Sequence, residues 1–367
     1  MHTEPLNKLM AMAREWFVHD DDVCRQGFQR QLAGLASVPA RVHSWALPDA
    51  PDLRCDVAWL GDPDAESVLV MISGTHGVEG FCGSAVQRFL LDALSRDSRW
   101  LPPGCALLMI HGLNPWGMRH ARRCDQDGID LNRNFLDFNH LPPADSLYLD
   151  CLEKLCHASR EQRFTLLQHF IREHGQSQFD YLFSGGQYHC PWGPFYGGEG
   201  PSWSSRVVDD IIDLYKLADK TLLVIDVHTG LGPWSFGELI CDHPARSQGE
   251  QFARGLFGPA VSSVELGESF SVPKHGLLDY RWHALMAEKG CYLTLEFGTY
   301  GTKALFEVLI NDHALWMPSV EAKAHELEQQ RSAMLEHFCP DQRLWQQAVL
   351  FKSWQVTRIG LEGMQNV

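Results

Sequence analysis

Three short apolar runs, at residues 68–73, 221–227 and 291–295, each lead within a few positions to a side chain able to bind a metal or move a proton: His76, His228 and Glu296. The second run, Thr-Leu-Leu-Val-Ile-Asp-Val, is apolar and β-branched on consecutive positions, the pattern of a central strand covered on both faces. Helical periodicity between the runs predicts an α/β fold, with a mixed, mostly parallel central sheet flanked by helices on both faces. In such a sheet the ligand crevice lies beyond the carboxyl ends of the strands. His76, His228 and Glu296 all stand at that end.

Further strands are expected at 105–110 and 236–241. Helices are expected at 5–37, where Leu9, Met12 and Trp16 have helical spacing, and at 81–94, 145–175, 204–218 and 316–337. The stretch 184–201, dense in Gly, Pro and aromatic residues, reads as a long loop of the kind that forms lids and binding walls. With 367 residues and 45% hydrophobic content the chain can bury a large core. No repeat or linker divides it, so the expectation is one domain over 1–367. Its motif core is 68–300, with a helical segment at 1–60 and an extension at 314–367 packed on it.

A formal charge of -15 disfavours nucleic acid as a partner, because neutralising phosphates needs clustered Lys and Arg. Eleven cysteines, an odd number without paired spacing, suit reduced thiols and a cytoplasmic setting. The first residues lack a basic start followed by an apolar run, and no stretch is apolar enough to span a bilayer. A soluble protein with no membrane partner is the expectation; the oligomeric state is not legible.

The segment Thr75-His76-Gly77-Val78-Glu79 places an imidazole and a carboxylate one helical turn apart, a spacing that lets both reach one ion. His228, far downstream, completes a short-spacer, long-spacer set of three ligands, the layout of a catalytic zinc site with one position left for water. Asp226 stands two residues earlier on the same strand face and can orient that imidazole or cap the strand end. Glu296 reads as the base that takes a proton from water, or as a fourth ligand. Downstream of Arg119, Arg122 and Arg123 comes Asp130-Leu131-Asn132-Arg133-Asn134. Guanidinium groups there can clamp a carboxylate or stabilise a developing oxyanion, and one or two of them can instead form a solvated face.

These pieces, together with Asn114-Pro115-Trp116-Gly117, Asp226-Val227-His228-Thr229-Gly230 and Leu295-Glu296-Phe297-Gly298, resemble the zinc carboxypeptidase superfamily, which includes aspartoacylase-like deacylases. The resemblance runs over 68–300 in the family's order, and the segments at 185–188 and 195–198 look like a bacterial subgroup rather than the digestive enzymes. It implies one zinc ion held by His76, Glu79 and His228, with Glu296 as general base. It further implies Asn132 and Arg133 as carboxylate binders, and Arg123, with Arg122 as fallback, as the group polarising the scissile carbonyl. The implied activity is hydrolysis of an amide next to a free carboxylate in a small peptide or acylamino acid. An N-acyl amino acid deacylase and a non-catalytic metal-binding module are the rival readings. Tyr280, Tyr188 and Tyr196 are candidates for an assisting tyrosine, and Arg281 for either a specificity pocket or the surface.

Overall fold

A computed structural model describes residues 10–286, 289–318 and 320–365. Eight strands, β1 (Ala40–Leu47), β2 (Ala50–Gly61), β3 (Ser67–Ser73), β4 (Cys105–His111), β5 (Thr221–Thr229), β6 (Gly237–Cys241), β7 (Val261–Ser263) and β8 (Gly290–Phe297), form one sheet in the order β1-β2-β4-β3-β5-β8-β6-β7. The four middle strands, β4, β3, β5 and β8, are mutually parallel. β2 and β6 flank them antiparallel. The α/β architecture and its mostly parallel centre are those expected.

Side chains alternate across a strand, so each middle strand feeds two cores. Leu69, Met71, Leu223 and Ile225 enter the larger one, while Val68, Val70, Leu222 and Val224 enter the other. Helices α1 (Asp21–Ala33) and α2 (Gly80–Arg96) seal the first face, with α3 (Pro115–His120) beside them. The chain then runs through α4 (Ser146–His157), α5 (Arg160–His174), α6 (Gln176–Ser184), α7 (Trp203–Leu214), α8 (Gln248–Phe257) and α9 (Leu278–Met286). It ends in α10 (Thr302–Leu315), α11 (Ala324–Phe338) and α12 (Arg343–Met364). Val208 and Ile211 of α7 and Leu278 and Trp282 of α9 seal the second face. Val349 and Leu361 of α12 join the first.

Several expectations need correction. Residues 40–60, placed in a helical amino-terminal segment, lie in the β1–β2 hairpin, because the buried residues of β2 pair along β4. Of the helix expected at 5–37, the structure holds α1 and one turn at Ala13–Trp16; Leu9 lies outside the described residues. The helix expected from 316 starts eight residues later as α11. Pro318 interrupts that stretch, and proline cannot continue a helical hydrogen-bond ladder. The hairpin, α10 and α12 escape single-segment reading, since their pattern is set by what packs on them.

The turn between β3 and α2 decides where the functional side chains sit. Gly77 and Val78 donate their N–H groups to the carbonyls of Arg123 and Arg122 at 3.2 and 2.8 Å, and Asn114 donates to Gly74 at 2.8 Å. Two loops from neighbouring strands are thus bound backbone to backbone. A Cβ on Gly77 would stand 2.1 Å from the carbonyl carbon of Gly117, with no flexible side chain to yield. Gly77→Ala is therefore expected to lower stability by about 2 kcal/mol or more. A denaturation midpoint equal to that of the parent protein would contradict this packing.

Candidate metal centre

Strands β5 and β8 place His228 beside Glu296 in register, at the carboxyl end of the sheet. The turn after β3 brings His76 and Glu79 to the same end. Nδ1 of His76 lies 2.9 Å from Oε1 of Glu79, and Nδ1 of His228 lies 3.1 Å from Oε2 of the same carboxylate. The two Nδ1 atoms are 3.1 Å apart. Ligand atoms of His76, Glu79 and His228 all fall within 4.8 Å of one another, the one such group among the described residues. His325 and Glu328 repeat the three-residue spacing on exposed faces of α11 without a third partner. Spacing is thus insufficient without the strand ends.

Both imidazoles are oriented from behind. Nε2 of His76 is 3.0 Å from Oδ1 of Asp130, and Nε2 of His228 is 2.7 Å from Oδ2 of Asp226. A carboxylate accepting from Nε2 keeps the proton there and leaves the Nδ1 lone pair free for an ion. Asp226, fully buried, is fixed in turn by the Thr75 hydroxyl at 2.9 Å and the Tyr292 hydroxyl at 2.8 Å. Asp130 also receives Arg123 Nη1 and the N–H of Asn132. Burial would raise the Asp130 pKa, but Arg123 and Arg133 outweigh it and hold the group well below the carboxylate range. This donor set, two neutralisable imidazoles and one carboxylate with both imidazoles backed, fits a zinc-type ion.

Electrostatics within the triad are lopsided. Burial alone would raise the Glu79 pKa, yet the two imidazoles beside it draw it below its usual value. For His228 burial would lower the pKa, and Asp226 and Glu79 instead hold it well above normal. Glu296 is the contrasting carboxyl: burial first, then the charge of Glu79, push it up to about 8. Its Oε1 accepts the N–H of Leu231 at 3.0 Å. It stands outside the three-ligand group.

A cavity of about 110 Å³ opens on the triad and is also lined by Arg123, Asn132, Arg133 and Glu296. Arg123 lies 3.9 Å from Glu79 and stacks over Phe195. Arg133 is buried, with Nε and Nη2 donating to the carbonyl of Ser184 and Nη1 to that of Asn132. Gly276, at φ +67, lets the backbone pass where a Cβ would stand 2.2 Å from the Arg133 carbonyl oxygen. The loop 184–201 forms a wall through Ser184 and Phe195, the latter in the left-handed region at φ 59, where a bulky side chain is strained.

Other candidates lie elsewhere. Arg122 is buried in an ion pair with Asp312 at 2.8 Å and stacks on Trp316, away from the cavity. Arg119 pairs with Asp21, Asp22 and Asp52 near the surface. Arg281 pairs with Asp209 on the exterior. Tyr188, Tyr196 and Tyr280 do not line the cavity; Tyr188 donates to the Arg133 carbonyl at 2.7 Å and Tyr280 to that of Lys274 at 2.9 Å. Sequence reasoning missed the backing roles of Asp130, Thr75 and Tyr292. Tyr292 was findable, since it shares the alternating strand face of Glu296. Lys274, Asp242 and Asp279, which also line the cavity, carried no local signal.

The sequence matches over residues 22–352 the model of a family described as "Protein of unknown function (DUF2817)". No curated protein matches it. Among solved structures, a carboxypeptidase A from Helicoverpa armigera is similar at a TM-score of 0.50 and 13% identity, over 93% of this chain and 72% of that one. Bovine thrombin-activatable fibrinolysis inhibitor, in complex with tick carboxypeptidase inhibitor, gives 0.50 and 12%, over 95% and 98%. An aspartoacylase family protein from Mesorhizobium loti gives 0.39 and 16%, over 79% and 70%. At such identity the first two likenesses establish the carboxypeptidase-like fold.

Two outcomes follow for metal binding. His76→Ala and His228→Ala should each abolish stoichiometric zinc uptake, and unchanged metal content in either variant would remove that residue from the ligand set. Because Asp226 and Glu79 favour the protonated form of His228, an entering ion must displace a proton from Nδ1. Zinc uptake at pH 7 should therefore release about one proton, with apparent affinity rising roughly tenfold per pH unit below the His228 pKa. Titration calorimetry in buffers of different ionisation enthalpy reads this directly, and proton-neutral binding would refute it.

Proposed function

The chain belongs to the DUF2817 family, and we propose that it is a zinc-dependent hydrolase cleaving an amide bond next to a free carboxylate, in a small peptide or an acylamino acid. The observation that carries the reading is one cavity lined by the His76, Glu79 and His228 group, a carboxyl near neutrality in Glu296, and two inward guanidinium groups. When bound, the ion supplies Lewis acidity, lowering the pKa of water toward ~7 and polarising a carbonyl.

The chain's own residues supply the rest. Glu296, in register with His228 and lining the cavity, takes a proton from the attacking water and delivers it to the departing amine nitrogen. Arg123, already turned toward Glu79, offers positive charge where the carbonyl oxygen becomes negative. Arg133 spends three of its five N–H groups on backbone carbonyls, which fixes its plane and leaves two for a substrate carboxylate. Asn132, whose Oδ1 accepts the N–H of Leu278 at 2.9 Å, presents its amide NH₂ beside it. Holding the carboxylate sets the scissile bond against the triad.

Glu296→Gln should reduce kcat by about 10²–10⁴-fold while zinc content stays stoichiometric; retained turnover would exclude Glu296 as the base. Arg133→Ala should raise KM for carboxylate-bearing substrates more than it lowers kcat, and an unaltered KM would remove its clamping role. Dipeptides compared with N-acyl amino acids decide which amide is cut. Release of a carboxyl-terminal residue supports the peptidase reading, selective deacylation the aspartoacylase-like one, and no turnover of either a metal-binding module.

A further inference from the structure

Phe195 occupies a position that its backbone disfavours. At φ 59 it lies in the left-handed region, which suits Gly or Asn and strains a side chain of this bulk. Such strain persists only where the surroundings hold it, and it gathers at functional sites. Here they do hold it. The carbonyl of Phe195 accepts the N–H of Gln187 at 3.0 Å, that of Pro194 the Tyr148 hydroxyl at 2.9 Å, and that of Tyr196 the N–H of Asp130 at 2.7 Å. The last bond ties the loop to the segment carrying Asn132 and Arg133. A Cβ on Gly197 would stand 2.5 Å from the Arg133 carbonyl oxygen, so loop and segment are in close contact.

The ring is buried, packs on Phe306 with centroids 5.9 Å apart, and lines the cavity. Packing alone does not require an aromatic group, since an aliphatic side chain of similar volume fills such space. What only a ring supplies is a negative face, and two cations use it. The guanidinium carbons of Arg123 and Arg133 lie over it, 4.9 and 5.5 Å from its centroid, within the range of cation–π attraction. Burial first, with the charge of Arg123 added to it, lowers the Arg133 pKa from its ordinary value, so the two cations oppose one another. Arg123 donates to Asp130, and Arg133 to the carbonyls of Ser184 and Asn132. Those hydrogen bonds act in the plane of each guanidinium, whereas a ring acts across it.

We infer that Phe195 is a positioning residue whose ring face holds the guanidinium groups of Arg123 and Arg133 in fixed relation, one for a substrate's carbonyl oxygen and the other for its carboxylate. The tasks of the two arginines rest on the hydrolytic reading; their common support on one ring does not. The left-handed backbone is what brings that ring between loop and cavity, which explains why a strained residue stands there.

The test weakens the ring's negative face while keeping its shape, by placing mono-, di- and trifluorinated phenylalanine at position 195. Across that series kcat/KM for the dipeptide or N-acyl amino acid that is turned over should fall stepwise, by about tenfold at three fluorines, through lower kcat and higher KM together, while the thermal midpoint holds steady. In an Arg133→Ala background the KM trend should vanish and the kcat trend remain. A second arm titrates N-acetyl-L-alanine calorimetrically into Glu296→Gln protein supplied with zinc, where the dissociation constant should rise with fluorination. A rise there without any turnover supports the positioning role and counts against the hydrolase alone. A flat series in a protein that turns over substrate overturns the role and leaves the hydrolase standing, as does a midpoint that falls in step with activity, which would reduce the ring to packing. A protein that neither turns over substrate nor binds the probe overturns both. Phe195→Leu, where it folds, should lose at least as much kcat/KM as the trifluorinated protein, and undiminished activity there also overturns the role.

Discussion

A single buried carboxylate, Glu79, meets two imidazoles at about 3 Å while each imidazole is braced from behind by another carboxylate. Three acids and two histidines with almost no access to water would repel or neutralise one another unless the arrangement were closely tied. Arg123 on Asp130, and Thr75 and Tyr292 on Asp226, provide the ties. Asp226 and Glu79 favour the protonated imidazole of His228. Much of the local backbone, from the Gly77 turn to the Asn132 region, is shaped to keep those groups in place.

The sheet explains how a polar cluster of this density survives inside a large apolar core. On β5 the face that carries Leu222 and Val224 changes to Asp226 and His228 within four residues, and β8 makes the matching change from Tyr292 to Glu296. Registered parallel strands bring those changes to the same level. The cavity therefore begins where the second core stops, with its floor made of strand residues and its walls of Phe195, Phe306 and Phe338. Rigid strands below and loops above divide the labour between positioning and access.

Charged side chains of both signs share the cavity. Next to the triad stand Glu296, in register with His228, and Arg123, 3.9 Å from Glu79. Arg133, Asn132, Asp242, Asp279 and Lys274 line the same cavity. Arg122, one residue from Arg123, faces the opposite way into a pair with Asp312. Adjacent residues in an irregular segment thus have unrelated tasks, one in the core's electrostatics and one at the cavity.

Five of the strands, β3, β4, β5, β6 and β8, and the triad were legible in the amino-acid order because their signals are local: an apolar run identifies a buried strand, and a polar residue at or just past its end stands at the sheet's carboxyl edge whatever the strand order. His228 and Glu296 are of that kind, His76 follows β3 by three residues, and Glu79 was found by its spacing from His76. The β1–β2 hairpin was not, since the burial of β2 comes from lying beside β4 rather than from its own periodicity. Nor could sequence decide between Arg122 and Arg123, or supply Asp130 as the partner of His76. Those outcomes depend on which distant side chains share a small volume, and only register, loop path and packing across more than a hundred residues of separation determine that.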